Sequence, residues 1–382
     1  MLGLNTKSSK ASTSAFVVLF ALGLLVGGLG TYYLNTRQIS NLNTQVTDLR
    51  NQITAMSTNS DQIITVNQNG TNLVDIYKNV SDSVVLIQGN TASGEVQGSG
   101  FIYNYTGTIV VLTNYHVVQD TTSLSVTFSN GNGYPAIVLG NDPYADLSVL
   151  STQAPAEELK PLRIVSSSDL HVGQEVIAIG NPYGLVGSLT TGVISALGRS
   201  EQADFTSSFS IANMIQTSTP INPGNSGGPL LNAAGDVVGI TNSVVSDSQG
   251  LGFAVPSNTI LREISALVTV GTYSSHSYLG IHVVDMTYNL AQEENLNVTY
   301  GVWIPSNSGQ VVIEPNGPSS GKILEGDVII ALNSTRIRNN DDLASYLEEK
   351  TLPNDALVVT VARNNSTVDV DLSLGTRPPP NL

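Results

Sequence analysis

A serine set among glycines carries the clearest chemical signal in the chain. Residues 224–229 read Gly-Asn-Ser-Gly-Gly-Pro. A serine hydroxyl is a poor nucleophile until a base takes its proton and N–H donors hold the oxyanion that forms. Glycines on both sides of Ser226 let the backbone turn sharply and aim N–H groups at that oxyanion. The backbone groups of Gly224 and Ser226 are the expected donors. A base is available upstream, where Leu112-Thr-Asn-Tyr-His116-Val-Val ends an apolar run. A neutral imidazole can accept the serine proton and return it to a leaving amine. Between the two lies Asp142-Pro-Tyr-Ala-Asp146. Its second carboxylate, Asp146, could hold the imidazole tautomer. Each piece alone has a plainer reading: a structural serine in a turn, a core histidine, an Asx-Pro turn. Gly224-Asn-Ser226-Gly-Gly228 also satisfies Gly-x-Ser-x-Gly, but the hydrolase fold with that motif needs its histidine last.

Taken together, the segments resemble the HtrA/Deg family of serine proteases, which share the chymotrypsin fold. Thr113-Asn-Tyr-His-Val117, Asp142-Pro-Tyr-Ala-Asp-Leu147 and Asn222-Pro-Gly-Asn-Ser-Gly-Gly-Pro-Leu230 match that family's three motifs in its order. Gly98-Ser-Gly-Phe-Ile and Gly180-Asn-Pro-Tyr-Gly-Leu fit as supporting runs. The resemblance covers roughly residues 73–375. It implies a His116, Asp146, Ser226 triad in an endopeptidase that cleaves unfolded or exposed polypeptides, and assembly as trimers or their multiples. A chaperone or scaffold with a dormant site is the alternative. Members often carry an aspartate before Ile-Asn-Pro-Gly, where this chain has Ser218-Thr-Pro220. Ile221 is the candidate for the S1 pocket. No charge flanks it to neutralise a basic side chain, so a small or medium aliphatic P1 residue is expected.

Composition excludes several other classes. The 382 residues suit two or three domains. A formal net charge of −15 argues against nucleic acid as a partner. With no cysteine, disulfides and thiolate chemistry are excluded. Gly317-Pro-Ser-Ser-Gly-Lys322 imitates a phosphate loop, but its spacing is one residue short and Ile323 follows the lysine. No nucleotide and no other cofactor is expected. The four histidines show no metal-ligand spacing, so no metal is expected.

The elements that must position these residues read as mainly β. From Ser83 onward, short β-branched runs alternate with Gly, Asn and Pro turns, which fits two six-stranded barrels with the site between them. Pro256 opens an amphipathic helix through Val270. The expected protease domain is 73–271. Residues 275–376 resemble a PDZ domain of the type that follows HtrA proteases. There Tyr278, Leu279, Gly280 and Ile281 match the peptide-binding loop, and 340–350 reads as the helix. Such a domain adds a peptide as an extra strand and catches its carboxylate on backbone N–H groups. Asn364-Asn365 signals a tight hairpin. The tail 377–382, rich in proline, is expected to be disordered.

The N-terminal part reads differently. Residues 15–34 are mostly apolar and uncharged, about the length that crosses a bilayer. Lys7 and Lys10 precede them, so 1–14 is expected in the cytoplasm, with the remainder outside. Spacings of three and four among Ile39, Leu42, Val46, Leu49, Ile53 and Met56 predict a coiled-coil or helical stalk over 35–66. A single-pass membrane protein is therefore the expectation.

Overall fold

Runs such as Thr108-Ile-Val-Val-Leu-Thr113, rich in β-branched residues and closed by polar turns, fold as strands because both faces find apolar neighbours. The structure, a computed structural model, describes residues 36, 37, 44, 47, 73–181, 187–202, 209–244, 250–306, 309 and 311–380. A helix, α1 (Leu73–Val80), leads into the first barrel. That barrel is built from β1 (Val84–Thr91), β2 (Gly94–Tyr105), β3 (Thr108–Thr113), β4 (Ser123–Thr127), β5 (Gly133–Asp142) and β6 (Leu147–Thr152). It closes in the order β1-β2-β3-β6-β5-β4. A single helical turn, α2 (Tyr115–Val118), follows β3 after Asn114.

The second barrel has the same strand count. It comprises β7 (Glu175–Gly180), β8 (Ser188–Gln202), β9 (Ser210–Thr217), β10 (Pro229–Leu231), β11 (Val237–Val244) and β12 (Gly252–Pro256), closed as β10-β11-β12-β9-β8-β7. The predicted helix is α3 (Ser257–Thr269), with extended Pro256 at its N-cap. Its stripe of Ile260, Ile264 and Leu267 joins Leu147 and Val149 of the first barrel and Ile177 and Ile240 of the second in one buried cluster. Each side chain of that size contributes about 1.5–3 kcal/mol when fully buried. The two barrels are thus packed as one body, which fixes the seam between them.

Beyond α3 the chain forms two smaller antiparallel sheets. In one, β13 (Ser277–Tyr278) pairs with β20 (Gly375–Thr376). In the other, β14 (Val284–Asp285), β15 (Val302–Trp303), β16 (Val328–Leu332), β18 (Ala356–Arg363) and β19 (Ser366–Ser373) lie in that order, with β17 (Thr335–Arg336) on β16. Two helices complete it, α4 (Tyr288–Glu293) and α5 (Asn340–Lys350). The Asn339 side chain caps α5 by accepting the Asp342 N–H at 3.0 Å. Asn364 and Asn365, both at positive φ, form the two-residue turn between β18 and β19 that their sequence predicts.

Two expectations need correcting. The single-pass membrane placement is overturned: among the described residues no helix is long and apolar enough to cross a membrane. The apolar run 15–34 and most of the predicted stalk lie outside the described residues; Thr36, Arg37, Thr44 and Thr47 are helical. Residues 182–185 of the second supporting run also lie outside them. The start of the tail, Arg377 and Pro378, is held by other segments rather than disordered. Tyr144 donates to the Pro378 carbonyl at 2.5 Å, and the Arg377 N–H donates to the His276 carbonyl at 2.9 Å.

Candidate active site

β3 delivers His116 through the one turn of α2, and the β5–β6 connection delivers Asp146. His116 Nδ1 lies 2.7 Å from Asp146 Oδ2, and the His116 backbone N–H donates to Asp146 Oδ1 at 2.9 Å. Asp146 is fully buried, while the imidazole keeps 24% of its surface. A buried carboxylate with that many donors has its remaining lone pairs satisfied. Asn242 Nδ2 supplies another donor to Asp146 Oδ2 at 2.8 Å, and Asn114 Nδ2 donates to the Asp146 carbonyl at 2.9 Å. Asp146 itself has φ +49°, a setting that L-residues adopt at a cost, so its loop must be held by neighbours.

Ser226 comes from the turn before β10. Its hydroxyl donates to the Asn242 carbonyl, so Asn242 of β11 touches both Ser226 and Asp146. Gly227 sits at φ +87°, and a Cβ there would lie 2.0 Å from the Ser99 carbonyl oxygen, which explains the glycine. Ser99 of β2 stitches the seam. Its N–H donates to the Ser226 carbonyl at 2.8 Å, its hydroxyl to the Gly224 carbonyl at 2.6 Å, and it accepts the Asn181 N–H at 2.8 Å. With the Gly224 carbonyl turned toward Ser99 and Gly224 at φ +100°, the Gly224 and Ser226 N–H groups donate no hydrogen bond among the described residues. Unengaged donors beside a serine suit a developing oxyanion.

Ile221 is 3% exposed and packs in the second barrel with Ile194, Ile215 and Leu230; a Cβ on Gly252 would lie 2.8 Å from its Cγ1. In the smaller sheet, Tyr278, Leu279, Gly280 and Ile281 line a groove of about 230 Å³, with Leu343 and Leu347 of α5 opposite. The Leu279 and Gly280 N–H groups donate no hydrogen bond among the described residues. Ser200, Ser210 and Ala212 of the second barrel also border this groove. Arg199 Nη1 reaches Asp341 Oδ2 of α5 at 3.1 Å.

A second cluster went unseen in the sequence because its members come from four separate segments. His276 is 4% exposed and lies 2.8 Å from Asp142 Oδ2 and 3.2 Å from Glu348 Oε2. Arg262 bridges Glu263 and Glu348. Burial disfavours the His276 imidazolium, but Asp142 and Glu348 outweigh it and push its pKa up to about 9. Burial likewise opposes the Glu348 carboxylate, yet His276 and Arg262 hold it at about 2. Glu263, fully buried and facing Asp142, is raised well above the usual carboxylate range. Ligand atoms of Asp142, Glu263 and His276 converge within 4.8 Å. They are engaged with one another, with Glu348 and with Arg262, so the cluster is an ion network between the barrels and α5.

Comparison with known proteins defines the class. Residues 98–240 match a trypsin-like peptidase domain and 277–374 a PDZ domain. The chain is 38% identical over 273 residues to the putative serine protease HhoA of Synechocystis, spanning 70% of this chain and 68% of the relative. It is 36% identical to Protease Do-like 1, chloroplastic, of Arabidopsis thaliana, covering 74% of this chain and 64% of that protein. It is 32% identical to the serine protease Do-like HtrA of Lactococcus lactis, over 92% and 93% of the two lengths. The solved structure of the HtrA-type protease AlgW with tripeptide superposes with a TM-score of 0.64 at 29% identity, over 81% of this chain and 98% of that one. The chain belongs to the HtrA family of serine proteases.

Proposed function

We propose that the chain is an ATP-independent serine endopeptidase acting on unfolded or exposed polypeptides. Ser226 is the nucleophile, His116 the base and then the acid, and Asp146 the residue that orients His116. Ser226 Oγ attacks the scissile carbonyl while His116 takes its proton. The Gly224 and Ser226 N–H groups hold the oxyanion. His116 protonates the leaving amine, and water then releases the acyl group through the same base. The observation that carries this reading is the buried Asp146 carboxylate 2.7 Å from His116 and joined to Ser226 through Asn242. Replacing Ser226 by Ala should lower turnover of unfolded casein by about 10⁵–10⁶-fold. A variant that cleaves as fast as the parent sinks the reading.

The working division places the peptidase in 73–271 and the PDZ domain in 275–376. The groove at Tyr278–Ile281 is proposed to take polypeptide C-termini or exposed segments; the solved AlgW structure with tripeptide supports a peptide-handling role. Ile221 is proposed to favour a small or medium aliphatic P1 residue; a cleavage profile dominated by Arg or Lys would refute this. A homo-oligomer, trimer or multiple of trimers, is the proposed assembly, tested by sedimentation. One observation favours the dormant-site alternative: the single Ser226 proton points at the Asn242 carbonyl, so the hydroxyl must rotate before His116 can receive it. Rapid stoichiometric labelling of the resting protein by a phosphonate would exclude dormancy.

A further inference from the structure

The loop that ends at Asp146 is gripped from the far end of the chain. Tyr144 stands two residues before Asp146. The Arg377 guanidinium lies over its ring, 3.8 Å from the centroid, and its hydroxyl donates to the Pro378 carbonyl at 2.5 Å. Phe209 packs edge-on against the same ring at 4.7 Å. Arg377 is itself anchored, because its N–H donates to the His276 carbonyl and continues the β13–β20 ladder by one residue. The Tyr144 N–H donates to Asp142 Oδ1 at 2.9 Å, and Asp142 Oδ2 meets His276. The loop therefore has two outside holds, one on Asp142 and one on Tyr144. It needs them: Asp146 sits at φ +49°, a conformation kept only where surroundings over-determine it.

We propose that the segment Arg377–Pro378 is a strap that clamps Tyr144 and so keeps Asp146 in register with His116. Arg377 and Tyr144 are positioning residues, and the inference rests on the triad reading above. The strap's removal leaves Asp146 its bonds to His116, Asn242 and Asn114, so the loss of rate is partial. Because Arg377 also lines the PDZ groove, the substrate for the test is a short fluorogenic peptide with an amidated C-terminus, which keeps a terminal carboxylate out of that groove.

The test uses the full chain, with rates expressed per site titrated by a phosphonate. Arg377→Ala should lower kcat about three- to tenfold while KM stays within about twofold, because orientation and not binding is lost. Arg377→Lys keeps a cation over the ring and should restore most of the rate. Tyr144→Phe keeps the ring under Arg377 but removes the hydroxyl's bonds to the Pro378 carbonyl and to Arg377, and should give a smaller fall in kcat; it carries the test if Arg377→Ala fails to fold. The double variant should lose less than the product of the single losses, since both act on one clamp. Parent-like kcat in Arg377→Ala and Tyr144→Phe, a loss confined to KM, or an Arg377→Lys as slow as the alanine variant overturns the strap. The control separates the two readings. If Ser226→Ala is inactive while the strap variants match the parent, only the strap fails; if Ser226→Ala is active, the triad reading fails with it.

Discussion

Asn242 is the residue on which the site turns. Its side-chain amide donates to Asp146 and its backbone carbonyl accepts a hydrogen bond from the Ser226 hydroxyl, so one side chain and one backbone group meet both ends of the proposed triad. Replacing it by Ala leaves the Asp146 carboxylate one donor short in a buried place, where charged hydrogen bonds contribute about 1.5–3 kcal/mol. The expected outcome is a fall in kcat of about 10–100-fold with KM little changed, measured on a peptide substrate. A parent-like kcat would show that Asn242 merely fills space. The residue had no signal in the sequence. It lies in a β-branched strand, 16 residues after Ser226, and only barrel closure brings it beneath the carboxylate.

At the level of elements, α5 is docked through charge. Glu348 near its end meets His276 and Arg262, while Asp341 at its start meets Arg199. His276, ordinarily near 6.5, is raised to about 9, so its stabilisation is complete below pH 6.5 and is lost as pH rises through about 9. Glu348 works in the opposite sense: its contribution is present above 4.5 and is lost as pH falls through about 2. Glu263, raised well above 4.5 by burial and by Asp142, stabilises fully below 4.5 and loses that stabilisation as pH climbs from 4.5 toward its folded value. His276 and Glu348 both contribute fully between 4.5 and 6.5, and above 6.5 His276 and Glu263 lose stabilisation together as pH rises. Thermal scans should show Tm falling from pH 6.5 to 9.5, and His276→Gln should flatten that fall. An unchanged slope in the variant would mean that other groups set the alkaline limit.

On the scale of the whole molecule, the peptidase and PDZ parts share a buried boundary and not only a linker. Arg262 of α3, Asp142 of β5, His276 and Glu348 of α5 meet there, and residues 377–378 fold back across it. Removing one partner of a buried pair costs up to about 3–5 kcal/mol, less where water still reaches the group. The Arg262 side chain retains 26% exposure, so Arg262→Ala should sit at or below the lower end of that range. In calorimetry the parent should melt with the two parts coupled, and Arg262→Ala should release the PDZ part at a lower temperature. Coincident transitions in both proteins would show that apolar packing alone joins them.

The local record in the chain was sufficient for much of this. Gly224-Asn-Ser-Gly-Gly-Pro favours a tight turn through its glycines, and the structure has one, with Gly224 and Gly227 at positive φ. The Asn364-Asn365 turn was legible because positive-φ preferences act within two residues, whereas the helix at Asn340–Lys350 was read from the resemblance to a PDZ domain. The proline-rich tail reads as disordered in the sequence because Arg377 and Pro378 take their partners from remote segments, Tyr144 and His276. Asn242, Ser99 and the His276 network were hidden for the same reason. By itself the sequence determined which side chains could do chemistry and which strands could form, because those depend on residue type and short-range periodicity. Tertiary structure alone decided what steadies Asp146 and what joins the two domains, because burial and hydrogen-bond partnership are set between segments that the chain order keeps far apart.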